Sequence, residues 1–515
     1  MPPITDTTET KAVDKSPQPL THVAARAAMA SGTAEIVTRV LTVVLMIVTA
    51  RVLEPVEVGL LGLGVIVSGV VSILGFYPET AAVAASGDEC EGQFALAAAC
   101  VRAVILAFSF AALGLFFSQV AYYLTSHNSA SVPLGHLILV LAWLPVIELL
   151  SGYPQVVLQR QLKLNLIAQL QILQPVLFVG LAVLMLIIGR GFIGVAWANV
   201  ASSALISVLL WSRVVASGAI RWSGWPSRRV WRETVYGTGK VFVGGFAGYL
   251  NGRVDNLIVS ASIGPASMSY YSMAWNASRT PANVFARAIN FVLVPTLARI
   301  QDDPTRVQRA LRECVRNSYL LLAPACSILF VTAPILVEYV IGSKWLPVVP
   351  PLQVMCFTVL AVPILFASSA LLVGTGKGHL TGIATAVQLA VLLIAIPPMC
   401  KRWGTMGGAY ADLIAVILLT KTLAITAWWS TRQIGWAIVK TALVPVMAAI
   451  TSGYLAGTLT NPIQWDPLRF FMQVAFTILG YLFMVAVLGG RAGLIDLSRL
   501  LQSAIRSRVT QELQT

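Results

Sequence analysis

The chain has 515 residues, 57% of them hydrophobic and 11% charged, with a mean hydropathy of +0.80. Soluble globular chains carry about 25% charged residues, so this composition leaves too little polar surface to face water and excludes an ordinary soluble protein. The formal net charge of +14 does not mark a nucleic-acid binder, because the basic residues sit in short links between apolar runs, where membrane topology uses them.

From Met1 to about residue 30 the chain is polar and then alanine-rich, without the apolar stretch and cleavage site of a signal peptide. It reads as a cytoplasmic tail, 1–30, leading into the first span. A helix needs about twenty mostly apolar residues to cross a bilayer. Such stretches fall near 32–52, 57–82, 94–124, 134–156, 166–188, 193–214, 237–262, 267–295, 316–341, 349–373, 379–398, 408–428, 436–459 and 468–489. The expectation is an all-α polytopic membrane protein with about fourteen transmembrane helices. The stretches at 237–262 and 267–295 are the least apolar. With the N-terminus inside, about 21 Lys and Arg residues fall in inner segments and 6 in outer ones. That bias places both termini in the cytoplasm. The longest link contains RWSGWPSRRVW and reads as an interfacial linker at 215–236, with tryptophan at the headgroup level and arginine on lipid phosphate. A cytoplasmic tail closes the chain at 491–515.

An internal repeat is visible at two links. ARVLEPVEVGLLGLG follows the first span and ASIGPASMSYYSMAW follows the seventh. Aligning Pro55 with Pro265 gives both a short turn, a proline and a small-residue-rich helix start. The offset of about 210 residues equals six spans, an even number, so the repeat is parallel.

Ionisable residues at the centre of a membrane helix cost about 2.5–3.5 kcal/mol on insertion scales and belong against a cavity or a partner. The first span carries Glu35 and Arg39, spaced to form a local ion pair. That pair either lowers the insertion cost near the cytoplasmic end or faces a cavity. The eighth span carries Asn276, Arg279, Asn283, Arg287 and Asn290 on one continuous helical face. No acidic residue in that span neutralises the arginines, so the stripe is expected to line a water-filled, positively charged cavity and to meet an anion. Hydrogen bonding between helices is the plainer alternative. In the seventh span, Gly244, Gly248 and Gly252 form a small-residue ladder beside Asn251 and Asp255. Arg253 lies on the other side with Asn256, so one of Arg253 and Asp255 faces the cavity and the other is packed. Arg39 and Arg253 join the eighth-span stripe as candidates to meet the anion; Glu35 and Asp255 are the acidic residues best placed to titrate or to bind a cation, a proton or sodium. Arg102, Glu148, Lys240, Glu338, Asp412 and Lys421 are isolated and receive no role.

The six cysteines and four histidines are scattered, without metal or framework spacing. GTGKGH at Gly374–His379 lacks the spacing of a phosphate loop. No catalytic motif is present, so the chain is not expected to be an enzyme or to hold a cofactor.

Several segments together resemble the Wzx-type oligosaccharide flippases, the polysaccharide-transporter branch of the superfamily that also holds multidrug extruders and the lipid II flippase. They are ARVLEPVEVGLLGLG, YPQVVLQRQLKLN (Tyr153–Asn165) and NGRVDNLIVSASIGPASMSYYSMA (Asn251–Ala274), with Asp255 on the family's aspartate. TPANVFARAINFVLVPTLARIQDD (Thr280–Asp303) and IGSKWLPVVPPLQVM (Ile341–Met355) continue the series. LKLN and Ser269 depart from the family's aromatic and glycine. The resemblance implies two six-helix lobes, 31–214 and 237–428, around a central cavity, with two further helices in 429–490. It implies alternating access moving a polyprenyl-diphosphate-linked oligosaccharide across the bacterial inner membrane. Membrane lipids, a polysaccharide polymerase and glycosyltransferases are the other candidate partners. A drug or cation antiporter of the same superfamily is expected to have an acidic cavity. A membrane glycosyltransferase or polymerase is expected to have a large outer loop, whereas the outer links here run to about four to ten residues. A non-transporting scaffold has no use for the arginine stripe.

Overall fold

The computed structural model describes residues 37–85 except 39, together with 100, 131–160, 164–216, 225, 227–232, 235, 248–431, 436–463 and 465–488. Among these, every regular element is helical. In chain order the main helices are α1 (Val40–Val52), α2 (Pro55–Ala85), α3 (Ser131–Leu141), α4 (Trp143–Arg160), α5 (Leu164–Ile187), α6 (Gly191–Ala216), α7 (Val254–Ile263) and α8 (Pro265–Ile300). They continue with α9 (Pro304–Leu336), α10 (Val349–Leu360), α11 (Val362–Gly374), α12 (His379–Trp403), α13 (Thr405–Thr431), α14 (Trp436–Thr460) and α15 (Asp466–Leu488). A π turn at Val337–Ile341 and a 3₁₀ segment at Ser343–Val348 join α9 to α10.

Nine stretches among the described residues are long and apolar enough to cross a bilayer, and three shorter apolar helices accompany them at Val40–Val52, Pro55–Val70 and Val254–Ile263. The protein is a multi-pass membrane protein. Each stretch expected from hydropathy coincides with a described helix, in whole or in part, except 94–124, of which residue 100 alone is described.

Both repeat prolines open their helices, Pro55 at the start of α2 and Pro265 at the start of α8. Proline suits the first turn because its missing N–H has no intrahelical partner there. Gly264, just before α8, has φ +93° and ψ 166°, a conformation essentially confined to glycine. α8 has 36 residues and is about 54 Å long, which overruns the ~30 Å hydrocarbon core. Where α8 ends, Asp303 caps α9 by accepting from the amides of Thr305 and Arg306. The first turns of α9 bury Val307, Leu311 and Val315 on one face while Arg306, Arg309 and Arg312 stay exposed.

α2 to α6 pack on one another, and α7 to α14 do the same. The two groups meet where α2 crosses α8. At that seam Gly59 admits the backbone of Pro265 so closely that a Cβ on Gly59 would lie 1.9 Å from the Pro265 carbonyl oxygen. One apolar core runs through the seam, joining Leu63 and Leu137 to Met268, Tyr271 and Trp345.

Candidate functional site

The seventh span, expected as one weak helix, is broken. Residues 248–251 are helical, Gly252 and Arg253 form a turn, and α7 starts at Val254. The Gly252 amide donates to the Gly248 and Tyr249 carbonyls, and the Arg253 amide donates to the Leu250 carbonyl. Intramembrane breaks of this kind are sustained where the irregular backbone lines a cavity or is packed in protein. Here it does both. Arg253 is exposed, whereas Asp255 and Asn256, just beyond the turn, are each 3% exposed. Of the two alternatives left by the sequence, Arg253 faces open space and Asp255 is packed.

Asp255 belongs to a buried polar cluster in the C-terminal group. One carboxylate oxygen accepts from the Asn256 amide at 2.8 Å and from the Asn256 side-chain nitrogen at 3.1 Å. The other accepts from the Tyr271 hydroxyl of α8 at 3.0 Å. Asp412 of α13 lies near enough to interact with Asp255 electrostatically. It accepts from one Arg279 guanidinium nitrogen at 3.1 and 3.3 Å. The guanidinium carbon also lies 4.6 Å from the centre of the Trp275 ring. Of the two carboxylates only Asp412 bonds the guanidinium; Asp255 is held by neutral donors.

This pairing corrects the expectation that Arg279 has no counter-charge. The side chains of Arg279 and Asp412 are 24% and 3% exposed, so this arginine is committed to a partner. The sequence reading looked for acids along one helix, whereas the partner comes from another. Asn276, on the same stripe, is exposed, and its amide nitrogen donates to the Ser272 carbonyl of its own helix. The backbone of Asn283, Arg287 and Asn290 lies in α8, but their side chains, like Glu35 and Arg39 entirely, lie outside what is described. Arg253 and the Arg279–Asp255 cluster thus occupy different places. Asp412 and Tyr271 were missed, although a lone aspartate in an apolar run is itself a signal.

Arg253 opens onto a chamber of about 590 Å³ walled by α2, α4, α5 and α6. Tyr249 forms part of its wall and donates to the Ile66 carbonyl of α2 at 3.1 Å. Gly69 makes this contact possible, since a Cβ there would lie 2.0 Å from the Tyr249 hydroxyl. Glu148, also on the wall, brings a carboxylate into the chamber.

At the end of the molecule that carries both repeat links, the two groups are tied together. Arg51 donates to the Val340 carbonyl at 3.0 Å and to the Tyr339 carbonyl. Lys344 donates to the Leu53 carbonyl at 2.7 Å. Trp345, fully buried, donates from its indole nitrogen to the Ala50 carbonyl at 2.8 Å. This end is closed.

A solved structure of the lipid II flippase MurJ, in an inward closed conformation, superposes with a TM-score of 0.73. It covers 89% of this chain and 98% of that one at 14% identity, a likeness of fold. An uncharacterized membrane protein in the cps region of Klebsiella pneumoniae is 27% identical over 161 residues. The lipopolysaccharide biosynthesis protein WzxC of Escherichia coli K12 is 29% identical over 108 residues. These matches span 33% and 22% of the length of those two relatives, and 31% and 21% of this chain. A family model described as polysaccharide biosynthesis protein matches residues 48–350, and with more than half of its length in that match, the chain belongs to this family.

Proposed function

We propose that this protein carries a polyprenyl-diphosphate-linked oligosaccharide across the bacterial inner membrane by alternating access, serving exopolysaccharide, capsule or O-antigen assembly. The observation that carries this reading is a chamber within the helices whose wall includes serine and amide side chains, with an exposed arginine at its rim, in a molecule tied shut at one end. Family membership, the lipopolysaccharide role named for WzxC and the flippase named for the structural neighbour support it. Arg253 suits the diphosphate because a guanidinium binds phosphate oxygens through paired N–H groups. Arg39 and Arg287 are further anion partners, with Asn276, Asn283 and Asn290 available to sugar hydroxyls or water. Arg279 joins them only when Asp412 lets it go. The lipid tail stays in the bilayer while the head group crosses.

Coupling is assigned to Asp255, now with Asp412 beside it, and to Glu35. A proton or sodium ion arriving at the two carboxylates competes with Arg279 and frees it for the anion. Asp255→Asn and Glu35→Gln are expected to change the dependence of transport on the ion gradient; unchanged dependence in both variants makes these residues structural. The orientation follows the arginine bias, with both termini cytoplasmic and the tied end outside. Cysteine labelling is expected to find Trp465 outside and Arg309 inside. The polymerase and glycosyltransferases of the same assembly route are the proposed protein partners.

The buried pair Asp255 and Asp412 also fits a drug or cation antiporter, but Arg253 repels a cationic cargo. The deciding experiment is deletion of the gene. Lipid-linked oligosaccharide is expected to accumulate on the inner leaflet, with glycan export lost and drug sensitivity unchanged. Normal export without accumulation overturns the proposal.

A further inference from the structure

We infer that the chamber at whose rim Arg253 stands is a carbohydrate subsite, and that Gln155 and Asn199 read the hydroxyls of the glycan. This rests on the flippase reading and specifies where the sugar portion sits.

The chemistry of the wall points to a sugar. Ser68 and Ser72 come from α2, Gln155 from α4, Gln174 from α5, and Asn199 and Ser203 from α6. All six are neutral and offer hydroxyl or amide groups, and Glu148 and Arg253 are the charged members of the wall. A lipid tail has no use for them, and a diphosphate calls for cations. A sugar hydroxyl both donates and accepts, and the amide of Asn or Gln answers in both senses at once. The volume of about 590 Å³ falls in the range of about 300–1,000 Å³ typical of small-molecule sites.

Some of these groups are already engaged. Ser68 donates to the Leu141 carbonyl at 2.9 Å, and Gln174 reaches Ser203 at 3.4 Å. Gln155 and Asn199 are half-buried and make no side-chain hydrogen bond to any described residue. Asn199 lies about 12 Å into α6 from Gly191, within a ~30 Å core, and a polar group at that depth belongs against water or a ligand. Gln155 sits three residues beyond Gly152, where the apolar stretch from Leu134 ends, and so stands at the mouth of the chamber. The wall is also completed from the other group of helices by Tyr249 and Arg253. A glycan seated there touches both groups, with the diphosphate at the Arg253 rim.

The test uses full-length protein in lipid nanodiscs and two probes. One is the lipid-linked oligosaccharide extracted from cells lacking the transporter; the other is undecaprenyl diphosphate without sugar. Gln155→Leu with Asn199→Leu is expected to weaken binding of the first probe about tenfold, since each lost hydrogen bond contributes modestly. Binding of the second probe stays within about twofold. Because neither amide serves a described protein partner, these substitutions leave no buried group unsatisfied, and the thermal midpoint without ligand is the check on folding. Arg253→Gln is expected to weaken both probes. Equal loss of both probes in the double variant, or no loss of either, overturns the subsite. Wild-type protein that binds neither probe overturns instead the flippase reading on which it rests.

Discussion

Two polar regions share the membrane interior of this protein, and they handle their polarity in opposite ways. In the cluster around Asp255 and Asp412, each carboxylate is engaged: Asp255 by Asn256 and Tyr271, Asp412 by Arg279. In the chamber around Arg253, the amides of Gln155 and Asn199 have no described partner. Buried polar groups are overwhelmingly hydrogen-bonded in folded proteins. The first region holds its carboxylates in place, although the buried Oδ1 of Asn256 there has no hydrogen-bond partner among the described residues; the second leaves half-buried amides open to something else. The contrast separates a charge-holding site from a binding site without reference to any ligand.

The largest expected effect tests the closed character of the acidic cluster. Asp412→Ala leaves the Arg279 guanidinium largely buried and unpaired, a change costing about 3 kcal/mol. A drop in the thermal midpoint of the purified protein reads it, and adding Arg279→Met is expected to restore much of the loss. A double variant no more stable than Asp412→Ala breaks the pairing argument. Tyr271→Phe comes next, removing one donor to a buried carboxylate at about 1–2 kcal/mol. A denaturation midpoint equal to wild type would mean that Asp255 finds another donor.

Arg253→Ala sharpens the other side of the comparison. Exposed and unneeded for packing, this arginine is expected to change stability by no more than about 0.5 kcal/mol while glycan export is lost. Lysine is expected to restore part of that export, because charge returns without the guanidinium fork. A large fall in stability would place Arg253 with the closed cluster instead. The smallest effect lies outside both regions. Bonds from the Thr305 hydroxyl, and then from the Arg306 and Thr305 amides, hold the Asp303 carboxyl below the usual carboxylate range. Its contribution to the start of α9 is therefore present at neutral pH and disappears as pH falls through that lowered value. The protection of the Thr305 and Arg306 amides, taken relative to the intrinsic exchange rate at each pH, is expected to fall on acidification in wild type but not in Asp303→Asn.

Hydropathy alone located the helices well, because a bilayer demands long apolar runs whatever the packing. It also flagged 237–262 as weak, and the weakness marks a helix broken at Gly252–Arg253. The stripe from Asn276 to Asn290 does lie in one continuous helix, as its spacing required. What that spacing could not contain was Asp412, since the partner of Arg279 arrives from a helix more than a hundred residues away in sequence. The chamber was hidden for a different reason. Gln155, Asn199 and the serines come from separate stretches of the chain, and only the convergence of four helices makes them a set.

The ties at the closed end have a consequence for how mutations act there. Arg51, Lys344 and Trp345 all donate to backbone carbonyls, those of Tyr339, Val340, Leu53 and Ala50. A carbonyl acceptor survives any substitution of the residue that bears it, so drift on the acceptor side leaves the fastening intact. The strength of closure is written chiefly in three donor side chains, with the exposed Glu54 carboxylate, 3.8 Å from the Lys344 ammonium, as the one side-chain acceptor. A genetic screen for variants that open this end too easily would therefore recover changes at Arg51, Lys344 and Trp345, and few at the residues they hold.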